Sequence, residues 1–195
     1  MPGRPRKSLL LALALLAPIG LAGCGDAHTK VTTGTYAGES GANAPYLNVG
    51  PLTYEVQLSR QLSPFDTEDA AYLQGLSAMQ RALTPEQEWF AVFLQVFNTS
   101  SKSEPAASKV TITDTQGKIY TPVVPAGSNQ FAYRAGTVPG KGRLPVPDST
   151  AAAGSTQGAL LLYKINLESL NNRPLTLTIA DATDAAQTAS AELDV

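Results

Sequence analysis

The run Trp89-Phe90-Ala91-Val92-Phe93-Leu94-Gln95-Val96-Phe97 constrains this chain most. Successive side chains of a strand point to opposite faces. Phe90, Val92, Leu94 and Val96 therefore share one face, and Trp89, Ala91, Phe93 and Phe97 the other. A strand apolar on both faces is central and covered on both sides, or packs partly on a neighbour or crossover.

Other segments carry the same period of two. Leu52, Tyr54, Val56 and Leu58 alternate with Thr53, Glu55, Gln57 and Ser59 until Ser63-Pro64 breaks the pattern. Lys109-Val110-Thr111-Ile112-Thr113 and Lys118-Ile119-Tyr120 flank Asp114-Thr115-Gln116-Gly117, a hairpin in which Gly117 takes the positive φ of the turn. Residues 159–165 form a strongly apolar strand. Leu175, Leu177 and Ile179 alternate with Thr176 and Thr178, and Ala191, Leu193 and Val195 mark a last short strand.

Two segments break the strand pattern. In 66–83, Thr67 as a hydroxyl cap precedes Glu68 and Asp69, and Tyr72, Leu73, Leu76 and Met79 follow at helical spacing around Gly75. The spacing predicts one short helix or an irregular crossover, ended by Thr84-Pro85-Glu86-Gln87. Residues 121–157 are rich in proline, glycine, serine and alanine. They predict a long extended loop pinned by Phe131, Tyr133, Leu144 and Val146, with a short strand at 130–133. Seven or eight strands with little helix and no sustained βα alternation indicate an all-β, immunoglobulin-like sandwich.

The N-terminus carries an address. Arg4, Arg6 and Lys7 precede an uncharged apolar run over 9–19, which is followed by small residues up to Cys24. That is the layout of a secretory signal, and its core falls short of the roughly 20 apolar residues of a membrane span. Leu21-Ala22-Gly23-Cys24 resembles the lipobox of bacterial lipoproteins. The resemblance implies that Cys24 is lipidated and becomes the first residue of the mature chain. The expected organisation is a signal peptide over 1–23, a flexible tether over 24–45 and a sandwich domain over 46–195. A diacylglyceryl group supplies two chains, enough for stable anchoring without a polybasic patch.

Charge narrows the partners. The chain has 14 basic and 16 acidic residues; three basic ones leave with the leader, so 11 stand against 16, a formal −5. A mildly acidic domain with scattered charge has no electrostatic footprint for nucleic acid. The expected partners are the membrane, through lipidated Cys24, and an envelope protein.

Catalytic constellations are scarce. Triad chemistry needs a positioned imidazole, and the one histidine, His28, lies in the tether beside the one thiol, Cys24. Asp66-Thr67-Glu68-Asp69 is the densest acidic cluster but lacks the spacing of a calcium loop. Gly136-Thr137-Val138-Pro139-Gly140-Lys141-Gly142 resembles a phosphate loop one residue short, with Gly142 where a hydroxyl should hold magnesium, and reads as a flexible loop. Gly38-Glu39-Ser40-Gly41-Ala42 fails the nucleophile-elbow pattern. Glu55, Glu86 and Glu88 could serve a carboxylate hydrolase only if two of them turned inward within about 10 Å of each other. Phe131, Tyr133 and Arg134 place aromatics beside a cation in the long loop, with packing onto the sandwich the default for both rings. No cofactor or catalytic residue is expected.

The order of these segments is similar to a known family. Phe93-Leu94-Gln95-Val96-Phe97-Asn98 precedes Ile112-Thr113-Asp114-Thr115-Gln116-Gly117-Lys118-Ile119-Tyr120, then a proline-rich loop, Gly158-Ala159-Leu160-Leu161-Leu162-Tyr163-Lys164-Ile165 and Arg173-Pro174-Leu175-Thr176-Leu177. Over roughly residues 46–180 the chain resembles the telokin-like, immunoglobulin-like extracellular domain of many Gram-positive lipoproteins of unknown function. A secreted mycobacterial immunoprotective antigen is related in fold. The resemblance implies a sandwich on a lipid anchor with a binding or envelope role, and it brings no catalytic residues. The chain departs from the family in the 66–83 insertion and in the length of the 121–157 loop. The functional expectation is a lipid-anchored binding or interaction module on the extracytoplasmic face of the cell membrane, without catalysis. The alternatives are a small-molecule or glycan binder, which needs a concave pocket lined by several aromatics, and a carboxylate hydrolase.

Overall fold

The computed structural model describes the backbone of Thr29–Thr35 and all of residues 46–193. The leader, Cys24, His28, the 38–42 motif and Val195 lie outside the described residues.

In chain order the strands are β1 (Thr29–Thr35), β2 (Tyr46–Val49), β3 (Leu52–Leu62), β4 (Gln87–Asn98), β5 (Glu104–Pro105), β6 (Lys109–Thr113), β7 (Ile119–Tyr120), β8 (Thr137–Val138), β9 (Arg143–Leu144), β10 (Ala159–Asn166), β11 (Leu175–Ala180) and β12 (Thr188–Leu193). Four short helices interrupt them: α1 (Thr67–Tyr72), α2 (Ala78–Arg81), α3 (Thr150–Ala153) and α4 (Leu167–Asn171). One sheet has the order β1-β12-β11-β6-β7; the other has the order β10-β4-β3-β2, with β9 pairing the end of β4. The architecture is an all-β sandwich. Strands β5, β7, β8 and β9 are two residues long, too short to leave a period in the sequence.

β4 lies between β10 and β3 and is buried on both faces, as its composition requires. Phe90, Val92, Leu94 and Val96 enter the core between the sheets, with Leu161 and Tyr163 of β10 and Leu177 and Ile179 of β11. Trp89, Ala91 and Phe93 enter a second core on the outer face, with Leu62, Tyr72, Leu73, Leu76, Leu160 and Leu162. The second core is closed by the 66–83 insertion and by Val123 and Phe131 of the long loop.

A bulge divides β3 between these cores. Val56 pairs with Leu94 but Leu58 with Phe93, which leaves Gln57 as the extra residue. Leu52, Tyr54 and Val56 face the inter-sheet core, whereas Leu58 and Leu62 pack on the outer one. The sequence pattern had placed Leu58 with the first three. A single inserted residue reverses the parity, and strict alternation cannot register it.

The 24–45 segment also differs from expectation. Within it, Thr29–Thr35 runs parallel to β12 as an edge strand, with Lys30 opposite Ala189 and Val31 opposite Ser190. Threonine-rich backbone pairs readily along an open sheet edge without an apolar alternation to announce it.

Polar chains tie the connections down. Ser169, on α4 between the sheets, donates to Asp114 Oδ2 at 2.5 Å and stands 2.6 Å from the Tyr120 hydroxyl. The amides of Gln116 and Lys118 donate to Asp114 Oδ1, each at 2.9 Å. The β6–β7 hairpin is thus bound to the link between β10 and β11. Burial opposes ionisation of Asp114, but the Ser169 hydroxyl and the two amides hold its carboxyl below the usual range. Ser169→Ala leaves the Asp114 and Tyr120 oxygens with one partner fewer. It should lower unfolding stability by roughly 1–3 kcal/mol, measurable as a lowered urea midpoint at unchanged slope; an unchanged midpoint would contradict this role for Ser169.

Candidate functional site

The two segments that interrupt the strand pattern come together as one surface. α1 begins at Asp66, whose Oδ1 accepts the amides of Glu68 and Asp69; the cap is Asp66 rather than Thr67, because its carboxylate reaches both free amides. α2 begins with a reciprocal capping box between Ser77 and Gln80. Together the helices lie over the outer core.

Arg60, on the outer face of β3, fixes α1 to the sheet. Its guanidinium donates to both Asp69 oxygens, at 3.0 and 2.5 Å, and the Ser63 amide adds a bond at 2.8 Å. Asp69 is only 4 % exposed, whereas the Arg60 side chain is 31 % exposed, so the pair is partly buried. Desolvation raises the Asp69 pKa, but the Arg60 fork and the Ser63 amide outweigh it and hold the carboxyl below its ordinary value.

The long loop then docks on the insertion. The buried Asn129 carboxamide donates to the carbonyls of Tyr72 and Gln74, both at 2.8 Å, and accepts the amides of Phe131 and Ala132 at 2.9 and 3.0 Å. Both donors and both acceptor sites of one side chain are used. The Ala126 amide bonds Gly75 O, and Gln80 Nε2 bonds Val124 O. The Tyr72 ring meets Phe93 and Phe131 edge to face, each with centroids 5.0 Å apart. Main-chain bonds from Val123 and Tyr133 to Leu162 and Leu160 cover the free edge of β10.

The result is a composite face with apolar side chains in water. Met79, next to Gln80 on α2, is 85 % exposed, and Val124, whose carbonyl Gln80 bonds, is 58 % exposed. Beside Val124 lies a mostly apolar cavity of about 250 Å³, lined by Pro122, Val123, Pro125, Tyr133, Arg134 and Leu160 among others. Arg134 frames it by donating to the carbonyls of Pro125 and Ala126. Tyr133 turns inward, donating to Ala107 O at 2.7 Å, and burial pushes its phenol pKa far up. Phe131 and Tyr133 therefore pack onto the sandwich, and Arg134 alone of the three stays exposed.

The remaining sequence candidates are dispersed. Asp66 caps α1, Asp69 pairs with Arg60, and Glu68 accepts the Tyr72 and Ser155 hydroxyls, so the acidic cluster works within the fold. Among the described residues no group of three histidine, cysteine, aspartate or glutamate side chains is placed to hold a metal. Glu55 pairs with Gln95 and lies seven positions along β4 from Glu88, roughly 23 Å at strand rise. Glu86 is farther still, in the turn before β4. Glu86 and Glu88 lie two residues apart but at the surface, where Glu86 is exposed and Glu88 accepts a bond from Gln61 Nε2, so no two of the three glutamates form an inward pair. The space between the sheets is filled, and each of the three described clefts is lined by a single aromatic residue.

No protein-family model matches the chain, and a search of curated proteins finds no significant relative. Solved structures do resemble it. The YjhA protein of Bacillus subtilis matches with a TM-score of 0.51 at 12% identity, over 77% of this chain and 97% of that one. At such low identity the likeness concerns the fold. The candidate lipoprotein YcdA of Bacillus subtilis gives 0.48 at 10% identity over 80% of this chain, which spans only 39% of that protein. An uncharacterised β-sandwich protein of Clostridium difficile gives 0.44 at 9% identity, over 85% and 96% of the two chains.

Removing Asp69 strands a half-buried guanidinium. Asp69→Ala should cost roughly 1–3 kcal/mol. Because the folded carboxyl titrates below its unfolded value of about 3.9, the pair's contribution is complete above that pH and disappears as pH falls through the folded pKa. The difference in Tm between wild type and Asp69→Ala should therefore be largest near neutrality and shrink towards pH 2. A difference that grew on acidification would contradict the assignment.

Proposed function

We propose that this protein is a lipid-anchored binding module of the cell envelope, without catalytic activity of its own. The observation that carries the reading is the composite face: two insertions locked together by Asn129 present Met79 and Val124 to solvent beside an apolar cavity. Exposed apolar side chains on a braced surface suit contact with a protein partner. The partner is an envelope protein, reached by a domain held on the membrane through Cys24. The leader supports that location, since a basic start, a short apolar core and Leu21-Ala22-Gly23-Cys24 together fit lipoprotein processing.

Two measurements test the reading separately. Cys24→Ala should block incorporation of labelled fatty acid and move the protein out of the membrane fraction; a variant that stayed in the membrane would refute the anchor. Met79→Asp combined with Val124→Asp should leave the Tm within about 2 °C, since exposed substitutions change stability little. In-cell crosslinking to envelope proteins should fall at least several-fold. Undiminished crosslinks would remove this face from the proposal.

A further inference from the structure

The phosphate-loop-like motif is neither a phosphate loop nor flexible. Residues 137–144 run from β8 through a tight turn into β9. Gly142 N bonds Pro139 O at 2.8 Å, Lys141 N bonds Ser100 O at 2.9 Å and Asn98 N bonds Gly142 O at 2.9 Å. A side chain at Gly140 would place its Cβ 2.3 Å from Ser101 O, so only glycine allows this approach. The turn is clamped against the end of β4.

Within it Lys141 has φ +60°, a conformation that favours glycine or asparagine. A lysine at such a position points to a use for the side chain. Its ammonium is held by Thr99 O. Two residues on, Arg143 pairs directly with Phe97 of β4, so the two side chains share the outer face of the sheet as cross-strand neighbours. The Arg143 guanidinium has no hydrogen-bond or ion-pair partner among the described residues.

These groups line a cleft of about 520 Å³, with Phe97, Thr99, Lys141, Arg143 and Pro147 in its walls. Small-molecule sites generally measure about 300–1,000 Å³; the other two clefts, of about 250 and 210 Å³, fall below that range. No carboxylate lines it: Asp148, next to Pro147, and Glu55, on the same sheet face, are outside the lining. Two cations with no counter-ion among the described residues, beside an aromatic ring, make a site for an anion carried on an organic body. An ammonium and a guanidinium fork on different residues of one cleft suit a phosphate, which has enough oxygens to accept from both at once. We infer that this cleft binds the phosphate ester of a sugar or similar polyol, with Lys141 and Arg143 on the phosphate and Phe97 against the carbon skeleton. The site is separate from the composite face and does not depend on it.

Amide-resolved NMR titration of the chain tests this with four probes: glucose 1-phosphate, poly(glycerol phosphate), inorganic phosphate and glucose. At least one ester should give saturable shifts at Phe97, Thr99 and Gly142, and the tighter of the two identifies a free or a polymeric source. Inorganic phosphate should bind at least several-fold more weakly, and glucose should give no saturable shift. Arg143→Gln should weaken ester binding about tenfold or more, the loss of a charged hydrogen bond. Lys141→Gly relieves the backbone and keeps the fold, yet should weaken binding similarly. No saturable shift with either ester, equal binding of glucose or of inorganic phosphate, or wild-type affinity in both folded variants would overturn the inference.

Discussion

A strand apolar on both faces cannot tolerate water on either, and β4 is such a strand. The opposite sheet dries one face through Val110, Ile112, Leu177 and Ile179. Among the described residues no further sheet covers the other face. The cover there is the 66–83 insertion and part of the 121–157 loop, which close over Trp89, Ala91 and Phe93. The segments that break the strand pattern are therefore parts of a core. Burying a side chain such as Phe93 contributes about 1.5–3 kcal/mol, and that gain is lost if the insertion lifts away.

Covering a sheet with irregular chain buries backbone that must still find hydrogen bonds. Single side chains solve this repeatedly. Asn129 satisfies two carbonyls and two amides where the loop crosses the insertion. The buried Ala107 has its amide bonded to the Tyr54 hydroxyl and its carbonyl bonded by Tyr133. The Asp114–Ser169–Tyr120 chain does the same where the chain passes from one sheet to the other. These ties fix where the surfaces lie. They fix α2, with the exposed Met79, to the loop that carries Val124 and, independently, the docked turn sets Arg143 beside Phe97 at the end of β4.

Much of the fold was legible in the residues. The two-sided apolarity of 89–97 specified a central strand, and Asp114 to Gly117 specified a hairpin whose glycine has φ +83°. What was not legible has identifiable causes. The Gln57 bulge transfers Leu58 between cores without changing composition. Two-residue strands leave no periodicity. Lys141 and Arg143 are ordinary residues in a glycine-rich stretch until the turn docks; only the spacing of glycines around the lysine hinted at an anion, and for a motif the structure does not form.

By itself the sequence determined the layers: which strands are buried on one face or two, and where the turns fall. Those properties follow from local periodicity and covalent chemistry, which act within a few residues. The tertiary structure decided which surfaces exist. The 66–83 segment and the 121–157 loop meet because both are drawn to the same uncovered face of β4, and Phe97 meets Arg143 because β9 pairs with its end. Such meetings join residues some 46 to 57 positions apart. They are set by what the folded sheet leaves exposed to water, a quantity that no local pattern contains.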